Sequence, residues 1–135
     1  MAPKPASKVR SLSPTESGSA EISYRFMREQ VIAEAKVNPI LRSEMCDAHP
    51  MLLRAAKAIG EPANRLCAFC DRSELVLLRY AFGPRLPAEG RCLESSADQK
   101  RLTQKAGSFT CRVVEVCCSC SWNYMISCYT IRGSS

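Results

Sequence analysis

Two Cys-x-x-Cys units, Cys67-Ala-Phe-Cys70 and Cys117-Cys-Ser-Cys120, constrain this chain more than any other feature. Two residues between a pair of thiols let both sulfurs face one ion from a tight turn, whose backbone amides soften the thiolate charge. Two such knuckles complete a tetrahedron, and zinc, a d10 ion with no geometric preference of its own, accepts four sulfurs in that arrangement. The reading is one structural zinc ion held by Cys67, Cys70, Cys117 and Cys120 in a zinc ribbon. Any single one of these thiols reads as plainly as a small buried hydrophobe. Two matched pairs do not. A thioredoxin-like redox site is disfavoured because no βαβ pattern surrounds either unit. Four protein ligands leave no open position for water, so metal-assisted hydrolysis is not expected and the chain is read as a non-enzyme.

Composition bounds the rest. The 135 residues fit one domain with a tail, and an apolar fraction of 46% suffices for a core. The formal charge of +6 falls to about +4 once four thiolates hold a zinc ion. That balance permits a nucleic-acid partner without demanding one. No apolar run is long enough to span a bilayer, and the first residues lack the apolar stretch of a secretory signal. Nine cysteines without an export signal point to a reducing compartment and metal chemistry, hence a cytoplasmic protein.

Along the chain, residues 1–20 are rich in Pro, Ser, Ala and Lys, with Val9 and Leu12 their bulky apolar side chains after Met1, and are read as a disordered tail. Residues 21–135 are read as a single domain. In it, a helix from Ile22 to about Leu41 carries Tyr24, Met27, Val31 and Ala35 on one face, and Asn38-Pro39 ends or kinks it. A second helix begins at Pro50, with Asp47 or His49 as cap, and stops at Gly60. Residues 22–60 thus form a helical hairpin in this reading. The zinc ribbon with an insert covers residues 63–132, with strands over 75–82, 110–116 and 122–131. The polar insert, from about 84 to 108, is expected to hold a short helix over 97–106. The fold expected is α+β: an N-terminal helical hairpin packed on a small antiparallel zinc-ribbon sheet.

Other residues admit two readings. Cys118 lies inside the second knuckle, and the spacing makes it a bystander. Cys111 and Cys128 fall in strands, where burial is the simpler explanation, and Cys46 and Cys92 have no partner by spacing. Cys46-Asp-Ala-His49 resembles a nucleophile or second metal site, yet it also sits at a helix entrance where such residues cap. Trp122 and Tyr124, with Arg72, Arg79 and Arg112, can form a face that stacks on bases and pairs with phosphates. Equally, the two aromatics can pack against the ribbon as core.

Across Cys46-Asp-Ala-His-Pro-Met-Leu-Leu-Arg-Ala-Ala-Lys57, Gly60-Glu-Pro62, Cys67-x-x-Cys70 and Val114-Glu-Val-Cys-x-x-Cys-Ser-Trp-Asn123, the chain resembles an actinobacterial family of short proteins classed as a domain of unknown function. The resemblance covers residues 22–131. It implies a zinc-binding cytosolic protein and no assigned activity; the longer N-terminal tail and the surplus cysteines depart from the family pattern.

Four roles are compatible with these residues. The first is a binding module docking on RNA, DNA or a nucleic-acid machine such as RNA polymerase or the ribosome. The second is a protein–protein adaptor presenting Met51, Leu52 and Ile59. The third is a thiol and zinc redox switch that uses Cys118 and the ligand thiols. An enzyme resting on Cys46 and His49 is the fourth.

Overall fold

The computed structural model describes residues 21–133. The tail expected over residues 1–20 lies outside them. The elements run β1 (Glu21–Ser23), α1 (Arg25–Val37), α2 (Pro39–Met45), α3 (Pro50–Ile59), β2 (Glu61–Leu66), β3 (Glu74–Phe82), β4 (Arg91–Leu93), α4 (Ser96–Thr103), β5 (Ser108–Val116) and β6 (Asn123–Arg132). The class is α+β. All six strands join one antiparallel sheet in the order β1-β6-β5-β3-β2, and β4 shares the β2 edge of β3.

Strand alternation divides the core in two. On β3, Leu75, Leu77 and Ala81 face the cluster that includes Ile32 of α1 and Leu102 of α4. The intervening Val76, Leu78 and Tyr80 face Leu52, Leu53, Ala56 and Ile59 of α3. Helices therefore lie on both faces of the sheet, α1 and α4 on one and α3 on the other.

This arrangement corrects the expected fold. No N-terminal helical hairpin forms, because α1 and α3 are separated by the thickness of the sheet. Residues 21–23 are not helical but pair with β6, Ile22 opposite Cys128, and so finish one edge of the sheet. The helix expected from Ile22 to about Leu41 spans Arg25–Val37, and Asn38-Pro39 ends it as expected. There Asn38 adopts an extended backbone and its side chain accepts from the amides of Ile40 and Leu41, starting α2 with Pro39 as first residue. The buried face of α1 is partly as expected: Ala35 is buried and Val31 packs against the core, but Arg28 and Ile32 also point inward and Met27 is exposed. Apolar periodicity could not find Arg28, because an inward arginine carries no apolar signal.

Nor is the sheet a small ribbon. β2 arises at residues 61–66, where no strand is expected, and as an edge strand it tolerates Pro62. The second helix is as read, with Pro50 first and His49 Nδ1 accepting from the Met51 amide at 3.0 Å. Gly60, however, is no left-handed cap, since its φ is −64°. A Cβ there would stand 2.5 Å from the Ala56 carbonyl oxygen and 2.7 Å from Val76 Cγ2, so glycine allows α3 to close on β3. The insert helix forms, as α4. No helix among the described residues is long and apolar enough to cross a membrane.

The sheet face under α1 holds a buried charge cluster. Arg28 Nε donates to Glu115 Oε1 at 2.7 Å, and the Trp122 indole donates to the same oxygen at 3.1 Å. Arg65 Nε stands 3.9 Å from Glu115 Oε2, and Glu29 meets Arg28 from the solvent side. With the Glu115 side chain 2% exposed and that of Arg28 5% exposed, neither charge has water to replace its partner. Glu115→Ala is expected to destabilise the protein by about 3–5 kcal/mol in chemical denaturation, since it strands Arg28 in the core. A loss below about 1 kcal/mol, the range of an exposed pair, would show that Arg28 reaches water instead.

Candidate metal centre

Each Cys-x-x-Cys unit is the tip of a β-hairpin. Cys67–Cys70 links β2 to β3, and Cys117–Cys120 links β5 to β6. Because β3 and β5 are direct neighbours, with Val76 opposite Val116, both tips emerge from the same end of the sheet. The four Sγ atoms all lie within 4.8 Å of one another. Two cross-hairpin separations are 3.5 Å for Cys67 to Cys120 and 3.8 Å for Cys70 to Cys117. Such a set of thiols can hold a metal ion. Among the described residues it is the one group of three or more ligating side chains gathered this closely.

The two tips are built alike. In the first, the Phe69 amide donates to Cys67 Sγ at 3.4 Å and the Asp71 amide to the Cys67 carbonyl at 3.0 Å. In the second, the Cys120 amide donates to Cys117 Sγ at 3.4 Å and the Ser121 amide to the Cys117 carbonyl at 3.0 Å. Each turn closes through a left-handed residue directly after its second cysteine, Asp71 with φ 54° and Ser121 with φ 70°. Each leading cysteine also donates its amide back across the hairpin, Cys67 to Ser73 and Cys117 to Trp122. Across the tips, the hydroxyls of Ser73 and Ser119 hydrogen-bond to each other.

Electrostatics prepare the thiols unequally. Backbone amides of Arg72 and Ser73 stabilise the Cys70 thiolate and bring its pKa down to about 7. Burial pushes Cys67 and Cys120 up. A cation at the centre of the four sulfurs would reverse that preference, as thiols deprotonate on coordination.

The remaining residues singled out from the sequence disperse. Trp122 is 1% exposed and sits behind the knuckles, its ring 5.2 Å from Phe69 and stacked 5.7 Å from Tyr124. Arg79 is buried and pairs with Glu61 at 2.7 Å, on the sheet face opposite its neighbour Tyr80. Arg112 lies mid-strand on the α3 face, its guanidinium 4.4 Å from the Phe82 ring. Arg72 is exposed beside the first knuckle. Cys118 packs with the α3 cluster and stays out of the thiol group. Cys46 is half-buried against the opposite core, and His49 spends Nδ1 on capping. The loop between them is held to the second knuckle, where the Ala48 amide donates to the Ser121 carbonyl at 3.0 Å and Asn123 Nδ2 to Asp47 at 3.3 Å.

Sequence reading passed over Asp71, Ser73, Ser119 and Ser121. Position immediately after a Cys-x-x-Cys was the available signal for Asp71 and Ser121. Nothing local marked the two serine hydroxyls as partners. Titration of metal-free protein with cobalt(II) should produce thiolate-to-cobalt absorption and tetrahedral d–d bands at one equivalent. Those bands are expected to be lost or strongly altered in Cys67→Ser and Cys117→Ser and retained in Cys118→Ser. Retention of the wild-type spectrum in Cys67→Ser would remove that residue from the ligand set.

Comparison with known proteins places the chain. It is 34% identical over 113 residues to uncharacterized protein Mb0050 of Mycobacterium bovis, covering 84% of this chain and 82% of the relative. The same identity and coverage hold for uncharacterized protein Rv0049 of Mycobacterium tuberculosis. No solved structure matches it. The model of the family of unknown function DUF5318 matches residues 18–135, and the chain belongs to that family.

Proposed function

We propose that the four thiols hold one structural zinc ion, and that the folded unit is a non-enzymatic cytoplasmic binding module docking on nucleic acid or a nucleic-acid machine. The observation that carries the zinc assignment is the convergence of four sulfurs from two hairpin tips, within 4.8 Å, with an amide-to-sulfur hydrogen bond in each tip. Four soft thiolates favour zinc over magnesium or calcium, which prefer oxygen. A closed ligand set leaves nothing for substrate, which supports a structural role. Free thiols at all nine cysteines fit a reducing compartment.

The docking part of the reading rests on charge beside the knuckles. Arg72 and Arg42 are exposed there, and the Arg42 guanidinium is 5.1 Å from the Phe69 ring centroid. The chain's net charge of +6, about +4 with four thiolates on zinc, is compatible with a polyanionic partner. Trp122, enclosed in the core, has no part in stacking on bases.

Elemental analysis of nuclease-treated protein should return one equivalent of zinc, and removal of that zinc by a chelator should abolish the near-UV circular dichroism. Zinc-free protein with an intact fold would defeat the assignment. For docking, fluorescence anisotropy with single-stranded RNA and DNA should show binding that weakens steeply between low and physiological salt. Arg42→Ala with Arg72→Ala should weaken it about tenfold and flatten the salt slope. No binding, or salt-insensitive binding, would rule this mode out; a stoichiometric protein that survives nuclease and high salt would identify an adaptor instead.

A further inference from the structure

The sheet face beneath α3 is only partly covered. α3 closes over Leu78 and Val116 at the knuckle end, and beyond it the face opens into a groove of about 640 Å³. Its floor includes Tyr80, Phe82, Arg112, Val114 and Met125, and Leu52 of α3 forms one wall. That volume lies within the range of small-molecule sites, and the lining has their character: mostly apolar, with few polar groups.

The guanidinium in the lining is that of Arg112. Tyr80 of β3 and Cys128 of β6 are its direct cross-strand neighbours, and neither is a carboxylate. Its guanidinium is held against the Phe82 ring at 4.4 Å, and it forms no ion pair among the described residues. Burial pushes the Tyr80 phenol up to about 12, so the floor carries no phenolate to neutralise the arginine at neutral pH. Glu89, the carboxylate in the lining, lies on the loop between β3 and β4 and is not paired with Arg112. A planar cation over an aromatic ring, with no ion pair among the described residues and an apolar trough beside it, matches an anionic head joined to an apolar body.

We propose that this groove binds a small apolar carboxylate, with the carboxylate on Arg112 and the apolar body along Val114, Met125 and Leu52. The site is separate from the thiol cluster and does not depend on the nucleic-acid reading, since Arg112 is absent from the Arg42 and Arg72 surface.

Isothermal titration calorimetry on the full chain, with its fold verified by circular dichroism, would compare decanoate, decanol and decylamine below their aggregation concentrations. Decanoate should bind saturably at one site, and decanol and decylamine at least about tenfold more weakly. Arg112→Leu should reduce decanoate to the level of decanol, Arg112→Lys should recover part of the loss, and Met125→Trp should weaken all binding by filling the trough. Equal affinity for decanoate and decanol on the unaltered protein would overturn the proposal without recourse to any variant. So would the absence of saturable decanoate binding, or decanoate affinity unchanged by Arg112→Leu in a folded protein.

Discussion

The antiparallel register between β3 and β5 is the constraint on which the rest of the structure depends. Val76 opposite Val116 and Phe82 opposite Thr110 bring the hairpin tips before β3 and after β5 to one end of the sheet. The four sulfurs meet only because of that alignment. A slip of one residue would also exchange the two faces of a strand, sending Leu77 and Arg79 toward α3 and Leu78 toward α1. Sheet pairing and thiol convergence therefore reinforce each other, and a metal ion at the sulfurs would lock a register that burial already prefers.

Behind the knuckles, the same register sets a polar core. Glu115 is buried next to Val116 and Cys117, and it receives Arg28 from α1 and the indole of Trp122 from the start of β6. These contacts join α1, β5 and the exit of the second knuckle through one carboxylate. Removing a single partner is costly in such a cluster, whereas replacing the whole set by apolar groups often is not. Through Arg28 the carboxylate ties α1 to the sheet. Arg79, on the same face, pairs with Glu61, while its Nε and Nη2 are enclosed without a hydrogen-bond partner among the described residues.

The two faces of the sheet differ in completeness. One carries α1, α4 and a cluster that runs from Phe109 to Trp122. Among the described residues, the other is served by the ten-residue α3, which covers one end of nine-residue strands. A helix rises about 1.5 Å per residue and a strand about 3.3 Å, so α3 cannot span the length of β3 and β5. The groove is what this mismatch leaves.

What the sequence determined by itself was local. The Cys-x-x-Cys spacing marked all four thiols, Pro50 and His49 marked the start of α3, and β-rich runs marked β3, β5 and β6, because turn geometry, capping and strand propensity are decided within a few residues. The family resemblance was legible in the same motifs. Tertiary structure alone decided that residues 21–23 would close a sheet edge, that residues 61–66 would become a strand around Pro62, and that α1 and α3 would take opposite faces. It also decided that Trp122 would be core and that Arg28 would turn inward, because the partner that makes an inward arginine acceptable, Glu115, lies 87 residues away in the chain. Pairing energy between distant strands and a buried countercharge leave no trace in local periodicity.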